Sequence, residues 1–136
     1  MSRLVRLMAR CLRLWLSNMN TVIEYLYRDA DNYKQNIALG LPGTFSDSDK
    51  ETVKQKLDGG MYFIPSQVGL PDLQEQNVNG IDPEVDHAWH EWDWAWIEDT
   101  DQEPNYNLSV TKLVENFKDV VWDEKTAIEE LIGEGT

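Results

Sequence analysis

Apolar and polar positions alternate from Thr21 to Arg28: Val22, Glu24, Leu26 and Arg28 fall on one side, Ile23, Tyr25 and Tyr27 on the other. A period of two built from β-branched and aromatic residues predicts a strand. Residues 29–32 supply turn chemistry and residues 33–41 resume an extended pattern. A hairpin is expected, closed by Ala30, Asp31 and Asn32 and ended by Pro42 and Gly43. The period then changes. Ser48 followed three residues later by Glu51 makes a capping box, Val53 and Leu57 are spaced for one inward face, and Gly59 stands where a left-handed C-cap belongs. A short helix should therefore follow the hairpin. Residues 61–65, MYFIP, read as a brief buried strand, and residues 66–86 as a long loop held at Val68, Leu70 and Leu73.

Near the C-terminus Val110, Leu113, Val114, Phe117, Val120 and Val121 form a helical stripe that Ser109 or Asn107 can cap. A second stripe, Ala127, Ile128, Leu131 and Ile132, runs to Gly133. A chain of 136 residues is one domain's worth. The fold class predicted is α+β: a small, mostly antiparallel sheet, a short helix after the first hairpin, and C-terminal helices packed on the sheet.

Residues 86–99, DHAWHEWDWAWIED, satisfy two templates. As a helix begun by Asp82, Pro83 and Glu84, the stretch aligns Val85, Trp89, Trp92 and Trp96 but leaves Trp94 and Ile97 on the polar side. As a strand it sends Trp92, Trp94 and Trp96 one way and Trp89, Ala95 and Ile97 the other. Aromatic density favours a turn at 82–86 followed by a strand. Trp92, Trp94 and Trp96 should then bury one side of the sheet, with Trp89 the more exposed ring.

The choice bears on metal chemistry. On a helix His87 and His90 share a face and make, with Asp86, Glu91 or Asp93, a ligand set for a divalent metal. On a strand the two rings point to opposite faces. The spacing is also not that of HExxH, whose histidines are four apart. No cofactor is expected; a metal-dependent enzyme built on Asp86, His87, His90 and Glu91 is the alternative. The duller role for both rings is to hydrogen-bond neighbouring carboxylates or turn carbonyls and so fix the loop.

Charge changes the picture further. The formal charge is −13, but all 25 acids lie at or after Glu24. Residues 19–136 carry 8 Lys and Arg against 25 Asp and Glu, a charge of −17, whereas the first eighteen residues carry +4. From residue 57 to residue 111 there is no Lys or Arg, yet the span holds twelve acids. Such a field repels nucleic acid and draws basic partners. A stacking platform for bases needs cations around its rings, and these tryptophans have none, so direct nucleic-acid binding is not expected.

Residues 1–18 set Arg3, Arg6, Arg10 and Arg13 along one helical face among Leu, Val, Met, Cys and Trp. This cationic amphipathic leader is too often interrupted by arginine to be a secretory signal or a membrane span. A membrane-surface anchor, an organelle presequence and docking on the acidic body stay open; membrane contact is expected only if this segment is real. Composition and charge change together at Met19, which favours a start there and a single acidic domain at 19–136. One cysteine, Cys11, excludes an intramolecular disulfide and suits a reducing, cytoplasmic setting.

Other motifs carry less. DADN, DSDKE and DTDQE imitate the first ligands of a calcium loop but lack its glycine at position 6 and glutamate at position 12. Arg28, Asp29, Asn32 and Lys34 of YRDADNYK offer a ligand site, or more simply an ion pair and turn hydrogen bonds at a hairpin end. YRDADNYK, FIPSQVGLPDL and DHAWHE, in this order and at these separations, resemble a family of small uncharacterised bacterial proteins. The resemblance covers roughly residues 20–100, implies a compact domain starting near Met19, and implies no activity, ligand or catalytic residue.

The function expected is non-enzymatic binding of a basic macromolecular partner, in the manner of an inhibitor, an immunity protein or a charge mimic. Trp89, Glu91, Asp93, Glu98, Asp99 and Asp101 are the candidate contact residues. Acidity that serves only solubility or a salty habitat gives the same composition.

Overall fold

A computed structural model describes residues 19–77, 80–82 and 84–133. The amphipathic pattern of residues 1–18 and Pro83 of the expected turn lie outside them. Strand β1 (Asn20–Arg28) pairs antiparallel with β2 (Lys34–Pro42) over its whole length, Tyr25 opposite Ile37. The turn is held by Asp29, whose Oδ1 accepts from the N–H groups of Asp31 and Tyr33, both at 2.9 Å, while Asn32 takes a φ of 64°. A left-handed residue costs asparagine less than most others.

On its other side β1 pairs antiparallel with β4 (His90–Thr100), whose far side meets the two-residue β3 (Tyr62–Phe63), giving the order β2-β1-β4-β3. Burial alternates strictly along β1. Ile23, Tyr25 and Tyr27 enter the core, and Val22, Glu24 and Leu26 form an outer face. The inner face packs with helices α1 (Asp47–Lys56) and α2 (Val110–Asp119) through Val53, Leu57, Val110, Leu113, Val114 and Phe117. A smaller cluster, Ile64, Ala88 and Ala127 with Trp89, Trp122 and Ile128, seats α3 (Glu124–Gly133). The fold is α+β, as its pattern predicted. Among the described residues no helix is long and apolar enough to cross a membrane.

Local chemistry departs from expectation at several points. Helix α1 is capped two residues earlier than predicted: Ser46 Oγ accepts from the Asp49 N–H, and the Asp49 carboxylate accepts from the Ser46 N–H. Asp fills the reciprocal position as Glu does. The helix ends in an extended Leu57 instead of a left-handed glycine, and Gly59 (φ 60°) serves the turn that brings Asp58 to Tyr62. Val121 and Ile132 of the predicted stripes are exposed; at Val121 this is because Val120 and Trp122 take the chain across α1 between the two helices. The long loop is tied at Val68, Leu70 and Leu73, all buried, and is shaped by 3-10 turns at Pro65–Val68 and Leu73–Gln76.

The tryptophan stretch is a strand, but an irregular one. Ile23 pairs with Ile97 and Tyr25 with Trp92, so four residues of β4 stand opposite Glu24 alone. Asp93 Oδ1 accepts from the Ala95 N–H at 2.9 Å inside this bulge. Extra residues reset the inward and outward alternation. Trp92 is buried, Trp94 packs edge-on against Phe45 and Trp92, and Trp96 turns out to the face of Glu24 and Leu26, 37% exposed. The three rings therefore do not bury one side of the sheet. Trp89 is half-buried, packed on Trp122 and donating from Nε1 to Glu124 at 3.0 Å.

Candidate functional site

The three segments YRDADNYK, FIPSQVGLPDL and DHAWHE meet at one end of the sheet, around Tyr27 and His90. Tyr27 points inward by the period of β1, and its ring lies between the two histidines, with centroids 5.2 Å from His87 and 5.0 Å from His90. Its phenol donates to Asp86 Oδ1 at 2.5 Å and accepts from the His87 N–H at 3.3 Å. Asp86 Oδ2 accepts from the Asp82 N–H. Burial first, then the bond to Asp86, holds the Tyr27 phenol above the ordinary tyrosine range, so it stays a neutral donor.

Both histidines spend both ring nitrogens on the backbone. His87 Nε2 donates to the Arg28 carbonyl at 2.7 Å and Nδ1 accepts from the Trp89 N–H at 3.0 Å. His90, fully buried, donates from Nδ1 to the Ala88 carbonyl and accepts at Nε2 from the Leu73 N–H, each at 3.0 Å. For the buried His90, one donor and one acceptor fix a neutral tautomer. Burial pushes the His90 imidazole down to about 3, the bond to Ala88 opposes this, and His87 adds to it.

This corrects the geometry expected of the pair: His87 precedes β4 in the loop, so the two rings flank Tyr27 and do not point to opposite faces. The residues of the metal alternative are engaged in bonds that hold the fold. Asp86 has both oxygens occupied, and Glu91 accepts from Arg28 Nε at 3.1 Å. Asp86, His87, His90 and Glu91 fasten one loop. Among the described residues no group of three or more His, Cys, Asp and Glu side chains is placed to hold a metal ion.

The hairpin end joins the same construction. Arg28 reaches Glu91 with Nε and Asn32 Oδ1 with a terminal nitrogen at 2.9 Å, Asp29 serves the turn, and the Ala30 N–H donates to the Val85 carbonyl. Lys34 is exposed at the start of β2. Arg28, Asp29 and Asn32 are thus a turn and an ion pair, the simpler of the two roles foreseen.

Deeper residues escaped sequence reasoning. Tyr25 donates to the Pro71 carbonyl at 2.5 Å and is held above the ordinary tyrosine range, by burial first and by Asp72 second. Asp72, 4% exposed, accepts from the Ser66 N–H at 3.1 Å; burial raises its carboxyl to about 6 against that bond. Gln74 donates to the His87 carbonyl at 2.8 Å, while its buried Oε1 has no partner among the described residues. The inward parity of Tyr25 and Tyr27 was legible in the sequence, but nothing in it marks Asp72 or Gln74 as buried.

The six residues expected to contact a partner separate. Trp89 and Glu91 lie at the Tyr27 end, engaged with Trp122, Glu124 and Arg28. Glu98 and Asp99 lie at the far end of β4, opposite Val22 and Thr21, and Asp101 follows in the loop. Asp93, Glu98, Asp99, Asp101 and Glu103 are all exposed, and among the described residues none of the five forms an ion pair. Among the described residues, no strand lies beside the outer edge of β4 beyond Trp92, since β3 pairs only with His90 and Glu91. No protein-family model, curated protein or solved structure matches the chain.

Proposed function

We propose that this protein is a non-enzymatic binding module that engages a basic macromolecular partner, in the cytoplasm, through the acidic far end of β4 and the loop after it. One observation carries the proposal: Asp93, Glu98, Asp99, Asp101 and Glu103 are exposed along β4 and in the loop after it, and among the described residues none of them forms an ion pair. Charges left unneutralised on an edge block pairing with another strand by repulsion and raise the encounter rate with a cationic surface. The histidine-rich loop supports the same reading by default, because its polar atoms are consumed in holding the fold. The single cysteine supports the reducing compartment.

The test is affinity capture from source lysate on the immobilised full chain, at low and high salt, beside a variant carrying Glu98→Gln, Asp99→Asn, Asp101→Asn and Glu103→Gln. A basic protein recovered in stoichiometric amount by the parent, released by salt and absent from the variant, is expected. Equal recovery by parent and variant, or no basic protein at low salt, overturns the proposal.

A further inference from the structure

Backbone parity identifies which groups the far end of β4 leaves unpaired. In an antiparallel ladder the N–H and C=O of one residue point to the same side, and successive residues alternate. Gly40 on β2 faces away from β1, since its N–H donates to Asn105 Oδ1 and its carbonyl accepts from the N–H groups of Asn105 and Tyr106. Its opposite number Val22 therefore faces β4, where it meets Glu98. Ile97 and Asp99 then turn both N–H and C=O to the outer edge of β4, and among the described residues neither has a partner there. The other edge of the sheet is covered at Gly40 by the loop and carries a cation, Lys34, at the far end of β2.

We propose that the basic partner binds by adding a strand, an extended cationic segment of it pairing with Ile97 and Asp99 along the edge of β4. The inference rests on the basic-partner reading and gives that partner a chemistry. Unpaired edge groups are a template for a further strand, and the side chains around them select which strand is admitted. Two copies of this edge would set Glu98 and Asp99 against acids of their own kind, and like charges directly opposite one another are destabilising. A cationic strand meets the reverse. Register places Glu98 on the outer face with Val22 and Ile97 on the inner face with Ile23. Trp96, Glu98 and Asp99 are exposed and Ile97 is half-buried. An antiparallel neighbour, the direction of the other pairs in this sheet, meets Asp99 and Glu98 first and Ile97 and Trp96 after them. The segment selected therefore has adjacent lysines or arginines followed by apolar residues. Asp101 and Glu103, in the loop, extend the acidic field beyond the paired residues.

The probe is a blocked peptide of three lysines followed by valine, threonine, valine and threonine, titrated by NMR into the isotope-labelled full chain at low salt. Strand addition predicts that amide exchange at Ile97 and Asp99 slows by about tenfold or more at saturating peptide. Ala38, turned outward on the β2 edge by the same parity as Gly40, should exchange as before. Methylating alternate backbone nitrogens of the peptide separates pairing from charge, because only every second residue of an added strand faces its neighbour. One alternate set should weaken binding by about tenfold or more, as the loss of two hydrogen bonds requires, and the other set should leave it unchanged. Glu98→Gln with Asp99→Asn should weaken the unmethylated peptide and flatten its salt dependence. Equal affinity of all three peptides, exchange slowed as much at Ala38 as at Ile97 and Asp99, or no binding at low salt would each overturn strand addition. The basic-partner reading survives these outcomes and falls only if lysate capture yields no charge-dependent basic protein.

Discussion

His90 is the residue whose removal tests the construction most sharply. In His90→Leu the volume is nearly conserved, but the Leu73 N–H and the Ala88 carbonyl lose their partners inside the core. Each orphaned buried group costs about 1–3 kcal/mol, and the apolar surface of leucine returns about 1.5–3 kcal/mol. A net loss of about 2 kcal/mol follows at about pH 8, where the wild-type ring is neutral in both states. Acid changes the comparison. The folded-state value is about 3 against 6.5 unfolded, so between them the unfolded chain binds the extra proton and wild-type stability falls as pH falls below 6.5. The slope approaches about 1.4 kcal/mol per pH unit. The variant has no such slope from this position, so the two stabilities should meet near about pH 5. Urea unfolding followed by tryptophan fluorescence at several pH values gives both curves. A gap that stays constant from about pH 8 to about pH 5 would mean that His90 protonates in the native state, and the buried bridge would be refuted.

Three further outcomes follow from the same geometry. Asp72 is raised to about 6 from 3.8, so its ionisation costs the fold stability as pH rises through that window; Asp72→Asn should be more stable than wild type above pH 6 and lose that advantage near pH 3.8, as read by thermal unfolding at both pH values. Ser46→Ala should lower stability by about 1 kcal/mol while Ser48→Ala changes it by far less; the reverse order in chemical denaturation would return the cap to Ser48. Trp89→Ala removes the ring that packs on Trp122 and bonds Glu124, so amide exchange should accelerate in α3 and stay slow in β1; equal acceleration in both would show that α3 is not seated separately.

Periodicity by itself determined the hairpin, the inward set Ile23, Tyr25 and Tyr27, the short helix facing inward at Val53 and Leu57, and the stripe Leu113, Val114 and Phe117. These are local signals, because side-chain direction in a regular strand or helix repeats with a fixed period and the core needs one face of each element. Charge was equally legible, since the acid-rich span without lysine or arginine is a property of the chain alone. Tertiary structure decided the rest. Trp96 is outward because four residues of β4 oppose one of β1, and a bulge is a relation between two strands that neither sequence segment carries. The histidines fasten the loop because Leu73, Ala88, Arg28 and Trp89 bring backbone groups to both nitrogens of each ring. Asp72 is perturbed because a loop distant from Tyr25 in sequence is folded beneath it, and desolvation depends on what surrounds a carboxylate in space.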